Sequence, residues 1–518
     1  MSQPRGQTLV LGALSFLVLA LMVTLSFNLS QALRAKISLQ QHSDSLAYSM
    51  AVMEARALNY YAVTNRAMAA SYVAMNSLHA YMAAASVTGQ MMKAGKENFS
   101  KIALQELAMC GKPKHCKHAR EAKKISDKYG KAGKEYDDKA RALEPRFTAA
   151  VTALDKMVDE LHASQRRVHE RTRGAISDGM SQGLRELALY NAPGVSGLPE
   201  GVGALNAQEF DCAVDGMRCP GGVASSSPKV RARVMAEVVN ATRPGWPANR
   251  AGLLKGQVPS YLHPQFLQQL TRGIPGSSNL HRVEGHSGTA KLVQSQGALH
   301  AGGQQKGNEG TTVSADEHGT LFNWWGHTLP VSEKYEARVW SDSGGGGHSG
   351  GRAHQGTHRF DGTNAKAFET CSASGNCFMK FRANPDPRRD WGQPRVYSYV
   401  TQSLREGDPR KAPWELNASG EVSVQHGAQG TQKVTLAPGE GAGLSKALVY
   451  YHRFDNADLS QGSTPGAEEG WREPPNLFAP YWRAKLHPLT PAQAEQVLNT
   501  AGNVDAAQLV QNSQGLTL

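Results

Sequence analysis

The chain has 518 residues and a formal net charge of +12, a length with room for two to four domains. The positive excess collects in one tract, Lys93 to Lys134, where twelve Lys/Arg stand against four Asp/Glu, a net of +8. Only Phe99 and Tyr129 are aromatic there; single-strand nucleic-acid binders interleave stacking groups with their cations, so the tract reads as a solvated face and no nucleic-acid partner is expected.

From Leu9 to Phe27 the chain is uncharged and apolar (LVLGALSFLVLALMVTLSF), and between Ala13 and Ser86 it contains neither Gly nor Pro. These two residues are the strongest local punctuation, so their absence predicts one long helix. At 1.5 Å per residue the run reaches roughly 28 Å, close to a bilayer core, and 9–27 is expected to be a transmembrane helix in contact with membrane lipid. A removable signal peptide would carry an apolar region of about 7–15 residues and a small-residue cleavage site. This run is longer, and its polar exit, Asn28-Leu29-Ser30-Gln31, leads into more helix. Residues 1–8 are expected to form a short cytoplasmic leader. Arg5 on one side and Arg34 and Lys36 on the other leave the charge rule for orientation nearly balanced.

Arg5-Gly6-Gln7-Thr8-Leu9-Val10 is similar to a prepilin start, where a basic residue and a Gly precede a hydrophobic helix. With Leu39-Gln40 and Ser43-Asp44-Ser45-Leu46-Ala47 downstream, the segment over about 5–60 resembles the N-terminal part of TadE/TadG-like proteins of the Flp (Tad) pilus-assembly system. The resemblance implies cleavage between Gly6 and Gln7 and partners among pilus-assembly or other envelope proteins. Two departures stand out. The fifth position after that cut is Leu11 where pilins carry Glu, and no D-x-S-x-S metal motif of a von Willebrand A-type domain is present; Asp342-Ser343-Gly344 and Asp458-Leu459-Ser460-Gln461-Gly462 both fail it.

Beyond the apolar run, residues 28–190 read as a helical stalk and hairpin. The stalk is Ala-rich, with Met50, Met53, Met68, Met75 and Met82, residues that allow close and adaptable helix packing, either within the chain or in a homo-oligomer. Asn59, Asn65, Arg66 and Asn76 interrupt its apolar surface, as partner contacts or as solvent-facing groups. Gly89, Gly95, Gly111, Gly130 and Gly133 read as breaks. A second helix is expected from Arg146 to Tyr190, after Pro145, with a four-three seam of Phe147, Val151, Leu154, Val158, Leu161, Gln165 and Val168. An antiparallel pairing would place Cys110 and Cys116 near the far tip.

Composition changes at Asn191. All eight Trp, 43 of 53 Gly and 22 of 25 Pro lie beyond it, which predicts short strands and long connections over 191–489. Thr320–Trp325, Tyr335–Trp340, Cys377–Arg382, Val396–Leu404, Val422–Gln425, Gln432–Leu436 and Ala447–His452 read as strands, and 341–358 as a flexible loop. Trp324, Trp325, Trp471 and Trp482 suit core packing better than a sugar-stacking platform. Within 490–518, Thr490-Pro491-Ala492-Gln493 starts a short helix, and the tail is expected to fray. The fold class is therefore α+β: a transmembrane helix continuing into a helical stalk, then an antiparallel β-rich C-terminal domain.

The six cysteines fall in close pairs, Cys110/Cys116, Cys212/Cys219 and Cys371/Cys377. Even, local pairing around turn residues predicts three disulfides in an oxidising compartment, which places the chain after Phe27 outside the cytoplasm. Zinc would want C-x2-C-type spacing; His115 and His118 beside Cys116 are the reason to consider it at all. His348, His354 and His358 sit in the Gly-rich stretch without an accompanying carboxylate, so the expectation is a solvated loop and no metal or other cofactor. G-x-S-x-G, P-loop and strand-linked G-x-G-x-x-G patterns are missing. The expected function is a non-enzymatic, single-pass bacterial inner-membrane protein with a periplasmic structural or adhesive domain. The alternatives are an anchored periplasmic metal-dependent hydrolase using the histidine-rich loop, or a coiled-coil envelope sensor.

Overall fold

The structure, a computed structural model, describes residues 5–178, 195–227, parts of 230–238, 272, 283–293, 311–322, 328–339, 346–349, 357–360, 378–403, 421–426, 430–435, 440–453 and 473–512. Helix α1 is Arg5–Ala108 and α2 is Pro113–Asp178. With 104 and 66 residues, these two helices outweigh every sheet, so the described chain is mostly helical with small antiparallel sheets after Ala213, and the expected α+β fold class is corrected to that. The membrane span over 9–27 is corrected as well. Among the described residues no helix is long and apolar enough to cross a membrane. The run is the opening part of α1, which continues without a break through Arg34, Lys36, His42 and Asp44.

The chain divides into two compact units, one of Met1–Val63, Gln165–Ser225 and Met379–Leu518, the other of Thr64–Ser164 and Ser226–Phe378. In the first, α1 buries a stripe of Leu39, Leu46, Ala47, Met50, Ala51, Leu58 and Tyr61 at helical spacing. Against it packs a three-stranded antiparallel sheet of β8 (Arg395–Ser403), β11 (Glu440–Tyr451) and β12 (Trp482–Leu486), in the order β12-β11-β8. Val396, Val400, Ala447, Val449 and Trp482 fill the same core. Gly443 brings β11 close to the helix: a Cβ there would stand 2.8 Å from the Leu39 carbonyl oxygen. Trp482 packs on Phe381 and Tyr451, with ring centroids 5.1 and 5.2 Å away, and its indole N–H donates to the Asn476 carbonyl. Trp324, Trp325 and Trp471 lie outside the described residues.

Each edge of this sheet is met by a side-chain amide. Asn59 of α1 donates to the Trp482 carbonyl at 2.9 Å and accepts from its N–H at 3.0 Å. Helix α3 (Glu200–Ala213) supplies Asn206, which does the same for Tyr397, at 2.9 and 2.8 Å. Strand edges left open are templates for unwanted pairing; each amide occupies one residue of its edge, and on the β8 edge Val195 adds a bridge to Gln402. A smaller cluster joins Val202 and Leu205 of α3, Tyr397 and Tyr399 of β8, and Val497 and Leu498 of α4 (Pro491–Thr500). Thr490 and Gln493 form the capping box of α4, and the tail forms α5, Val504–Asn512, where fraying was expected. Two short pairs complete the unit: β1 (Val214–Asp215) with β7 (Lys380–Phe381), and β9 (Glu421–His426) with β10 (Gly430–Thr435).

In the second unit the later part of α1 and the earlier part of α2 lie antiparallel. The expected breaks at Gly89, Gly95, Gly130 and Gly133 are helical positions, and their use is close approach. A Cβ on Gly95 would meet the Tyr129 ring at 2.8 Å, one on Gly89 the Asp137 carboxylate at 2.8 Å, and one on Gly133 Met92 Cβ at 3.3 Å. Tyr129 stacks on Phe99 at 5.6 Å in that contact. The helix expected to begin at Arg146 begins at Pro113, where a missing N–H costs nothing, and runs through Pro145. This unit also holds a five-stranded antiparallel sheet, β2-β3-β4-β5-β6, from β2 (Val283–Val293), β3 (Thr311–Phe322), β4 (Thr328–Val339), β5 (Gly346–Ser349) and β6 (Thr357–Phe360). The last two occupy part of the stretch expected as a flexible loop, because β5 adds to the hydrogen-bonding edge of β4 and β6 to that of β5.

Candidate functional site

The turn between α1 and α2 concentrates chemistry-bearing side chains. Met109 N–H donates to the Glu106 carbonyl at 3.2 Å and Cys110 N–H to that of Leu107 at 3.0 Å, which ends α1; Pro113 then opens α2. A disulfide joins Cys110 to Cys116 across the turn, with the Cα atoms 4.9 Å apart. Glu106, the last acid of α1, is folded back under the first turns of α2. Its side chain is 0 % exposed and Oε2 lies 2.7 Å from His115 Nδ1 and 3.7 Å from His118 Nδ1. His115 and His118 are 4 % and 16 % exposed, with rings set edge to face at 6.3 Å. Ligand atoms of the three residues all lie within 4.8 Å of one another. Glu121, one turn beyond His118, is also buried. Burial pushes the His118 imidazole down from its usual range, against the opposing pull of Glu106 and Glu121, which favours the neutral ring.

A second polar chain crosses the first unit. Asp211 accepts from His169 Nε2 at 2.9 Å and from Arg173 Nε at 3.0 Å. A carboxylate can only accept, so His169 donates from Nε2 and its Nδ1, 3.2 Å away, accepts from the Tyr61 hydroxyl. The ring stacks on Phe210 at 4.7 Å. This has the form of an acid–base relay, but Tyr61 is fully buried in the α1 core. Burial, then the Glu54 and Asp211 carboxylates, hold its hydroxyl well above the usual phenol range, so it keeps its proton and fastens α1 to α2 and α3.

Nearby, Arg395 makes a two-pronged pair with Glu209, 3.0 Å on each prong. Asp390, which reaches toward Arg395 at 3.9 Å and Lys446 at 3.7 Å, starts three consecutive left-handed residues, with φ of 49°, 60° and 86° at Asp390, Trp391 and Gly392. Only glycine fits the third, since a Cβ would stand 2.5 Å from the Arg382 carbonyl oxygen. A shallow groove beside this turn is lined by Glu209, Arg382, Arg389, Arg395 and the Cys212–Cys219 disulfide.

The residues singled out from sequence distribute as follows. Cys110–Cys116 and Cys212–Cys219 are bonded; Cys371 and Cys377 lie outside the described residues. Gly6 and Gln7 are in the first turn of α1. His348 and His358 are backbone partners in the β5–β6 register, and His354 lies outside the described residues. Glu106 had no local signal, because its partners come from another helix. No protein-family model, curated protein or solved structure matches this chain, so its function is argued from these sites and from the N-terminal segment.

Proposed function

We propose that the chain acts outside the cytoplasm as a non-enzymatic structural component of the cell envelope, of the pilus-assembly kind that residues 5–60 resemble. The observation that carries the reading is the pair of short-range disulfides, Cys110–Cys116 and Cys212–Cys219, each closing a turn at a helix end. Such bonds persist where thiols are not kept reduced. The body they fasten is built for packing: helix against helix through glycine notches, and a sheet whose edges are met by Asn59 and Asn206. The opening of α1 is apolar on all sides and exposed, with Leu9 at 77 % and Phe16 at 78 %. Apolar surface on that scale marks an interaction site, and a bundle of like helices, from other copies or other pilus-assembly proteins, covers it.

The test is thiol labelling of intact cells before and after reduction, followed by mass spectrometry of the cysteine peptides. Cys110, Cys116, Cys212 and Cys219 are expected to label only after reduction. Free thiols at all four positions in fresh cells would place the chain in a reducing compartment and end the envelope reading.

A further inference from the structure

From the turn between α1 and α2 we infer that Glu106, His115 and His118 form a binding site for a divalent transition-metal ion of the zinc type. The donor set is two imidazoles and one carboxylate, the set that holds borderline ions such as Zn²⁺ or Co²⁺. Three features separate it from an ordinary surface ion pair. First, the ligand atoms already converge to within 4.8 Å on a buried spot, with Glu106 fully enclosed. Second, His115, His118 and Glu121 recur every three residues along the first turns of α2, so one helix face presents them together toward Glu106. Third, Glu121 is buried, and among the described residues its Oε2 has no hydrogen-bond partner. An acid left so is costly unless something cationic answers it, and a bound dication beside His118 would do so. The wider tract argues the same way. It carries a net +8, yet two of its four acids, Glu106 and Glu121, are drawn into this one place. The Cys110–Cys116 bond spans the turn and holds the Glu106 side of the site against the His115 side.

The inference does not depend on the envelope reading. It is tested on the purified full-length, oxidised protein by titration with Co²⁺, followed by its visible absorption, and by Zn²⁺ competition and metal analysis after dialysis. One equivalent of tightly held metal is expected. Replacing one ligand should cost more than the roughly 10–100-fold that losing an outer-shell partner costs, so His118→Ala is expected to weaken binding at least 100-fold. Glu106→Gln keeps a polar group of the same shape and is expected to weaken it with unchanged helical circular dichroism, which excludes misfolding as the cause. His348→Ala/His354→Ala/His358→Ala in one chain is expected to retain the metal. Loss of metal in that triple variant with retention in His118→Ala would move the site to the glycine-rich stretch. Undetectable binding in the wild type would leave the cluster as a hydrogen-bonded fastening of the turn. Either result overturns the inference.

Discussion

Glu54 is the least comfortable side chain in the first unit. It lies in the core stripe of α1, fully buried, and among the described residues neither carboxylate oxygen has a hydrogen-bond partner. Burial first, and the Glu209 charge second, raise its pKa well above the usual carboxylate range, so it is folded as the neutral acid. The sign of the pH dependence follows. Below the unfolded value of about 4.3 both states hold the proton and there is no penalty; as pH rises toward the raised folded value, only the unfolded chain ionises, and stability falls. Glu54→Met fills similar space with nothing to desolvate. It is expected to stabilise the fold by about 1–3 kcal/mol through the unsatisfied buried carboxyl alone, and by more at pH 7 than at pH 4 because only the unfolded chain ionises in between. Urea denaturation at the two pH values measures this, and an equal effect at both would show that the pKa of the folded carboxyl is not raised. Asn59 makes the opposite point about what was legible. From sequence it could face solvent or a partner helix, and its actual partner is the backbone of β12, a strand 423 residues away. No local pattern carries that information.

At the scale of elements, glycine carries the main lesson. Reading Gly89, Gly95, Gly130 and Gly133 as breaks treats each helix as if it stood alone, where a Gly costs about 1 kcal/mol against Ala. In the paired helices the missing side chain is what allows contact, and the partner that explains it is absent from the local window. The two effects have opposite signs, so substitution separates them. At Gly95 a methyl group would stand 2.8 and 2.9 Å from two atoms of the fully buried Tyr129 ring, which has nowhere to move. Gly95→Ala is expected to destabilise by about 1–3 kcal/mol, the range for overpacking. At Gly130 the nearest atom is Cδ of exposed Lys96, at 3.1 Å, which can swing aside. Gly130→Ala is expected to be neutral or to stabilise by up to about 1 kcal/mol. Thermal or urea unfolding of the two variants side by side decides the matter; stabilisation at Gly95 would mean that propensity outweighs the contact. The cysteine pairs were readable for the converse reason. Their loops close over six and seven residues, so both partners sit inside one window.

For the molecule as a whole, the question is which part of α1 belongs to the fold and which to assembly. The helix is continuous from Arg5, and among the residues whose burial is described the packed core begins at Leu39. Before it, Leu9, Val10, Leu11, Leu14, Phe16 and Leu17 are all more than half exposed, on every side of the helix. Periodicity could show that this run is helical and apolar. It could not show what covers it, and the long-helix reading attached a bilayer to it on its length and apolar character. If the run serves a bundle of like helices, the two parts of α1 are separable. A chain starting at Lys36 keeps the Leu39–Tyr61 stripe, the Gln40 and Asn59 contacts to the sheet strands, and both described disulfides. Such a truncation is expected to leave the unfolding midpoint within a few degrees, since among the described residues it removes no buried apolar group of the core. It should abolish self-association. Analytical ultracentrifugation of the two chains at matched concentration, without detergent, is the measurement. A full-length chain that sediments as a monomer would remove the bundle. A truncated chain that unfolds much earlier would show that the exposed run supports the core after all, and the division between fold and assembly at Leu39 would have to be redrawn.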